Sequence, residues 1–215
     1  MNSLKHLQQL VPKNMYVKFT EKNGMVSVKL NHVQRPNHVI PGFEITKQKR
    51  QLMLGVVSVS GGQSMKAENY QRNVIEAGTG FQCPKSDHMR INTETYEIAK
   101  NVRPYSGPNA SYDWTEDFDG LQTFGNKCHI YYNFKSIVEA GGSQTRSLKC
   151  VYDFVKAQRD VRNLDKNTFF VNILDGEICA KNMHMFRRFD NEDQIYVGDL
   201  YDYFDWLNSK LDTIL

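Results

Sequence analysis

The segment Thr168-Phe-Phe-Val-Asn-Ile-Leu-Asp-Gly176 constrains the fold more than any other. It is a nearly continuous apolar run of strand length. A strand with no polar face needs cover on both sides, as in a sheet with helices packed on each face. Upstream, Cys128, Ile130, Tyr132 and Phe134 alternate with His129, Tyr131, Asn133 and Lys135. A period of two means a strand with two distinct faces, the first set inward and the second polar. Between the two strands lies a stretch with helical periodicity. Leu148, Val151, Tyr152 and Val155 recur at i, i+3, i+4 and i+7, which predicts a helix over about 145–159. Strand, helix and strand in this order allow a parallel crossover.

The rest of the chain extends this plan. Ile195-Tyr-Val-Gly198 is expected to add a strand. Asp199 to Leu211 is expected to close with a helix that buries Leu200, Tyr203, Phe204, Leu207 and Leu211 and wets Asp199, Asp202 and Asp205. Tyr201, Tyr203, Phe204 and Trp206 could stack bases, but at helical spacing they fit a core better. Tyr16-Val-Lys-Phe and Val26-Ser-Val-Lys-Leu, joined by Lys22-Asn-Gly24, predict a β-hairpin. A short helix fits residues 2–10, a strand fits Leu52–Ser60, and a helix over 65–77 would be capped by Ser64 and closed by Gly78. Residues 79–113, with Pro84, Pro104, Gly107 and Pro108, are expected to be loop with a short helix near Thr93–Lys100. With no repeat or linker visible, the expectation is one domain over 1–215. It has a basic, β-rich part at 1–62 and a core part at 115–215. Its fold class is α/β, a mixed central sheet flanked by helices.

Composition narrows the function classes. No apolar run approaches the length of a membrane span, and no secretory h-region opens the chain, so the expectation is an intracellular, cytoplasmic protein. Cys83, Cys128, Cys150 and Cys179 form no C-x-x-C pair, which fits free thiols in a reducing compartment better than a zinc site. His32 and His38 lack neighbouring ligand types. Net charge is +3, but residues 1–50 carry nine Lys/Arg against Glu21 and Glu44, and residues 151–215 carry eight basic against twelve acidic residues. A basic half suits a polyanion, although a solvated basic face is equally ordinary.

The chemistry-bearing residues gather around the two strands. Glu116, Asp117 and Asp119 fall just before a short strand that pairs with the Lys135 strand. Clustered carboxylates beside a lysine can hold Mg²⁺, with the lysine orienting an attacking water or stabilising developing charge. Ala140-Gly-Gly-Ser-Gln-Thr-Arg follows Lys135. Gly142, Gln144, Thr145 and Arg146 stand at a helix start, where free N–H groups favour an anion such as phosphate. Ordinary alternatives remain: a solvated Asp-Gly turn, an exposed strand lysine, a structural asparagine, and helix-capping polar residues.

This pattern resembles the PD-(D/E)xK nuclease superfamily, which includes many type II restriction endonucleases. Asp119 (or Asp117) looks like the first acid and Asn133-Phe134-Lys135 like the acid-x-Lys element. The strand, strand, helix, strand order over 115–175 is similar to the family core, as are Gln144-Thr-Arg at the helix start and Asp175-Gly176 at the strand end. There is no proline before the first acid, and Asn133 stands where Glu or Asp is usual. Glu68 or Glu76 is the expected third acid.

The resemblance implies a restriction-endonuclease-like core and a Mg²⁺-dependent, site-specific endonuclease acting on double-stranded DNA as a homodimer. Asp117 and Asp119 would bind metal. Asp119, Asn133, Lys135 and Gln144 would form the catalytic set, and Gly142, Thr145 and Arg146 would hold substrate. The competing expectations are a non-catalytic nucleic-acid-binding protein and an enzyme acting on small phosphorylated substrates.

Overall fold

The computed structural model describes residues 16–22, 25–55, 63–100, 102, 111–124, 128–161 and 166–214. The expected helix over 2–10 and the hairpin tip at Asn23 and Gly24 lie outside them. Strand β1 (Tyr16–Lys22) pairs antiparallel with β2 (Met25–His32), as the alternating pattern predicts. The chain leaves β2 through Val33, whose N–H donates to Asn208 Oδ1 at 2.7 Å and whose C=O accepts from Asn208 Nδ2 at 2.9 Å.

The strand expected from Leu52 is instead the end of a helix, α1 (Lys47–Leu54); Val56–Ser60 lie outside the described residues. Capping explains the difference. Thr46 accepts from the Lys49 N–H at 3.3 Å, and Gly55 ends the helix in the left-handed region at φ 60°. Helix α2 (Gln63–Thr79) begins one residue before the expected cap Ser64. It runs through Gly78 and ends at Gly80, φ 76°, whose N–H donates to Glu76 C=O.

No helix forms near Thr93–Lys100. Strands β3 (Arg90–Ile91) and β4 (Ile98–Ala99) pair there across a tight turn. Asn92 Oδ1 accepts from the N–H groups of Glu94 and Thr95 at 2.9 and 2.8 Å. Such local side-chain acceptance competes with helical hydrogen bonding and favours a turn.

The central sheet holds β5 (Gly120–Phe124), β6 (Cys128–Ser136), β7 (Thr168–Asp175) and β8 (Ile195–Gly198) in that order. β5 is antiparallel to β6, and β6, β7 and β8 are parallel. The expected helix between β6 and β7 is α3 (Gly142–Arg159), and all of β7 is buried. One face of the sheet packs Val74 and Ile75 of α2 and Tyr203, Phe204 and Leu207 of α5 (Leu200–Ile214) against Ile130, Tyr132, Val171 and Ile173. The other packs Val151, Phe154 and Val155 of α3 against Tyr131, Phe170 and Leu174. The expected mixed sheet flanked by helices is therefore present.

Two side-chain expectations change. Strand β6 has no wet face over most of its length: Tyr131 and Asn133 are buried, and only Lys135 and Ser136 emerge at its C-terminal end. With a parallel neighbour and α3 above, both faces are covered. Asp199 is also buried. It caps α5 by accepting from the Asp202 N–H at 2.9 Å, and it accepts from the Phe43 N–H at 3.2 Å. Asp202 and Asp205 are exposed as expected, and Tyr203 and Phe204 belong to the core. Cys83, Cys128 and Cys179 are buried free thiols, and Cys150 is exposed. Among the described residues no helix is long and apolar enough to cross a membrane.

Candidate functional site

The polar end of the sheet forms where β5 begins and β6 ends. Asp119 immediately precedes β5 and reaches β6 at two points. Its N–H donates to Tyr132 C=O, and its Oδ2 accepts from the Phe134 N–H, both at 2.7 Å. It thus straddles Asn133 along the strand and lies beside Lys135. Lys135 Nζ stands 2.9 Å from Glu116 Oε2. Asp119, Lys135, Glu116 and Glu68, the last from the first turns of α2, form one electrostatic cluster.

Burial sets the charge states in this cluster. It pushes the Asp119 carboxyl up to about 6, against the pull of Lys135 and the Phe134 N–H, while Glu68 and Glu116 push it further. Burial also works against the Lys135 ammonium, but Asp119, Glu116 and Glu68 outweigh it and leave Lys135 above its usual range. The lysine is therefore a charged hydrogen-bond donor at neutral pH, suited to hold a water or an anionic oxygen.

A cleft of about 290 Å³ opens beside Asp119, walled by Glu68, Arg72, Lys85, His88 and Asp117. Arg72 is buried and donates through Nη1 to Asp119 C=O at 2.6 Å, which ties α2 to the start of β5. Of the two expected third acids, Glu68 lines this cleft. Glu76 sits further along α2 and accepts from the Cys83 N–H at 2.7 Å.

The other expected site residues are engaged elsewhere or lie on another surface. Asp117 lines the cleft, but its carboxylate is taken up by protein. Oδ1 is paired with Arg90, and Oδ2 lies 2.8 Å from His88 Nδ1. Asn133 is fully buried and donates to Asn172 Oδ1 at 3.2 Å. Asn172 in turn exchanges two hydrogen bonds with Gln158 of α3, at 2.8 and 3.0 Å. Among the described residues Asn133 Oδ1 is buried without a hydrogen-bond partner. Gln144 and Thr145 line a separate, largely apolar groove of about 750 Å³ between α3 and the short helix α4 (Glu177–Asn182). Gly142 and Arg146 are exposed on the first turn of α3, where Arg146 Nε donates to Gly142 C=O.

Sequence reasoning missed Arg72 and His88. Arg72 fits an ordinary helix pattern. His88 lies in a stretch expected to be loop, and its position depends on backbone that sequence does not reveal: Asp87 and His88 both hold positive φ, 54° and 56°.

Asp119 and Glu68, two carboxylates on one cleft, are the donor set that a hydrated magnesium ion would use. Mg²⁺ is held by one or two carboxylates and keeps several waters. Among the described residues no group of three or more His, Cys, Asp or Glu could enclose a metal, so a fully protein-caged ion is not what this site offers. It offers two oxygen-donor carboxylates, Asp119 and Glu68, where burial first and then Glu68 and Glu116 resist ionisation of Asp119, a penalty a cation would relieve. Among the described residues Glu68 has no hydrogen bond or ion pair, and the Asp119 carboxylate accepts only at Oδ2. No family model matches this chain, and neither curated proteins nor solved structures give a match.

Proposed function

We propose that the protein is a Mg²⁺-dependent endonuclease that hydrolyses phosphodiester bonds in double-stranded DNA. The observation that carries this reading is the Asp119–Lys135 pair at the open end of the sheet, with Glu68 lining the same cleft as Asp119. The strand order, antiparallel β5 beside parallel β6 and β7 with a helix crossover between them, supports a restriction-endonuclease-like core. Resemblance to the PD-(D/E)xK superfamily rests on this arrangement and on Asp119 and Lys135.

Asp119 and Glu68 are the residues that would hold magnesium. The ion, when bound, supplies Lewis-acid polarisation of the scissile phosphate. Lys135 donates a hydrogen bond to the attacking water or to a phosphate oxygen as negative charge develops there. Glu116 fixes the lysine in place through its 2.9 Å ion pair. Phe134 fixes Asp119 through its backbone, so the acid and the lysine are set by adjacent residues of one strand. Arg72 holds the Asp119 backbone from α2.

Asn133 takes a structural role in this reading, not the place of a second acid. Its burial against Asn172 is also what favours the second reading, a DNA-binding protein that does not cut, because one charge of the usual motif is missing. The assay is cleavage of supercoiled plasmid with Mg²⁺ by wild type, Asp119→Asn and Lys135→Ala. Cleavage by the wild type and its loss in both variants supports the nuclease. Salt-sensitive DNA binding with no metal-dependent cleavage on varied sequences selects the second reading.

Cleavage of both strands calls for two copies of the site, hence a homodimer. Free thiols fit a reducing, cytoplasmic setting.

A further inference from the structure

We propose that His88, held by Asp117, is a second catalytic residue of this cleft and protonates the leaving sugar oxygen. This inference rests on the nuclease reading above but concerns a different step and different residues.

The geometry is specific. His88 Nδ1 lies 2.8 Å from Asp117 Oδ2, and the other carboxylate oxygen of Asp117 is paired with Arg90. Against an ionised Asp117, which can only accept, Nδ1 would be the nitrogen that carries the hydrogen. Nε2 has no partner among the described residues, and the His88 side chain is 55% exposed on the cleft that Asp119 and Glu68 also line. A carboxylate that fixes one ring nitrogen while the other faces substrate is the arrangement by which an imidazole is oriented for proton transfer.

The backbone is held unusually to produce it. Asp87 and His88 are successive non-glycine residues in the left-handed region. Such conformations persist only where surrounding contacts over-determine them. Those contacts are present. Ser86 Oγ donates to Phe118 C=O, the Phe118 N–H donates to Met89 C=O at 3.0 Å, and the Leu121 N–H donates to Pro84 C=O at 2.9 Å. The Val102 N–H donates to His88 C=O at 3.2 Å. The turn is laced along the segment that carries Asp117 and Asp119, so the ring is delivered to the acids by the fold.

In the step, a water oxygen bonds to phosphorus and the P–O bond to the leaving sugar breaks. The leaving oxygen takes the proton from imidazolium Nε2, and the ring returns to the neutral Nδ1–H tautomer bonded to Asp117. The proton lost by the water passes to solvent, which reprotonates His88. The products are a phosphate monoester and a sugar alcohol. Lys135 acts on the attacking side and His88 on the leaving side.

The test compares two leaving groups. The cut position is mapped on plasmid with wild type. Duplex oligonucleotides are then made with either oxygen or bridging sulfur as the leaving atom, since a thiolate leaves without a proton. His88→Asn keeps a residue tolerant of the left-handed backbone. It is expected to cleave the oxygen substrate about 100-fold slower and the sulfur substrate at close to the wild-type rate. Lys135→Ala is expected to be slow on both. Binding of the uncut duplex without divalent metal, read by fluorescence anisotropy, should be unchanged in His88→Asn.

Wild-type rates on the oxygen substrate in His88→Asn would overturn the proposal and leave the nuclease reading intact. So would an equal loss on both substrates, or a loss of DNA affinity that matches the loss of rate. No cleavage by wild type would overturn the nuclease reading and this inference with it.

Discussion

Asp119 Oδ2 accepts a 2.7 Å hydrogen bond from the backbone N–H of Phe134, one residue before Lys135. The acid and the lysine are therefore positioned by a single strand of the sheet interior. Asp119→Asn can keep this hydrogen bond through its amide oxygen while removing the charge. It is expected to raise the unfolding free energy at neutral pH, because burial disfavours the ionised carboxylate, and to lose plasmid cleavage by at least about 100-fold. Urea melts and cleavage assays on the same preparation measure the two effects. A large loss of stability would mean that Asp119 is chiefly structural.

The pH dependence follows from the same carboxyl. Its pKa is raised from 3.8 to about 6, so the folded state favours the protonated form. The stability it contributes is fully present below the unfolded value and is lost as pH rises from about 4 through about 6. Metal binding needs the ionised form, so magnesium affinity should rise through this window and level off above it. Thermal shifts with Mg²⁺ at pH 5 and pH 7.5 check this. The expected shift is small at pH 5 and large at pH 7.5, and equal shifts would remove Asp119 from the ligands.

Asp175 supplies a separable pH effect. It is fully buried, accepts from Gln71 Nε2 at 2.7 Å and from the Leu200 N–H at 3.0 Å, and burial raises its pKa to about 7. Its contribution to stability is lost as pH rises from about 4 through about 7. Asp175→Asn should flatten the pH dependence of metal-free stability over that range. It should leave the pH dependence of magnesium binding in place, because Asp175 is outside the Asp119 cleft.

The amide layer beneath α3 is a stability device. Asn172 serves Gln158, Asn133 and the Tyr196 C=O at once. Asn172→Leu leaves those buried groups unpaired, at about 1–3 kcal/mol for each unsatisfied group. The expected result in denaturant melts is a loss of several kcal/mol, and a near-neutral outcome would mean that water replaces the side chain.

Gly42 packs tightly against the strand ends. A Cβ built there would clash with Asp175 Oδ1 and lie 2.7 Å from Asp199 Cβ. Gly42 C=O also accepts from the Gly176 N–H at 2.8 Å, so the backbone has little room to retreat. Gly42→Ala is expected to cost about 1–3 kcal/mol and to lower Tm by several degrees. An unchanged Tm would show that this junction can move.

Much of the architecture is legible in residue order because it depends on local periodicity. The apolar run at Thr168–Asp175, the alternation at Cys128–Lys135 and the stripe Leu148–Val155 predict β7, β6 and α3 within a few residues. Where prediction fails, short-range capping overrides pattern: Thr46 and Gly55 turn Leu52–Leu54 into a helix end, and Asn92 turns the expected 93–100 helix into a hairpin. The site is only partly legible. Asp119 and Lys135 are identifiable as charged groups near the strand ends, and Glu68 only as one of two acids, with Glu76, on the preceding helix. Asn133 is misleading because alternation specifies a face and does not say what covers it.

Residue order by itself determined the sheet, its crossover, the strand that follows Asp119 and the strand that carries Lys135, since side-chain periodicity decides which backbone pattern can bury apolar surface. Tertiary structure alone decided the partners. It gave Asp117 to His88 and Arg90, Asn133 to Asn172, and Glu68 to the cleft, and it set Gln144 and Thr145 on another groove. Charge pairing and desolvation depend on distances between segments far apart in the chain, and those distances exist only after the layers have packed.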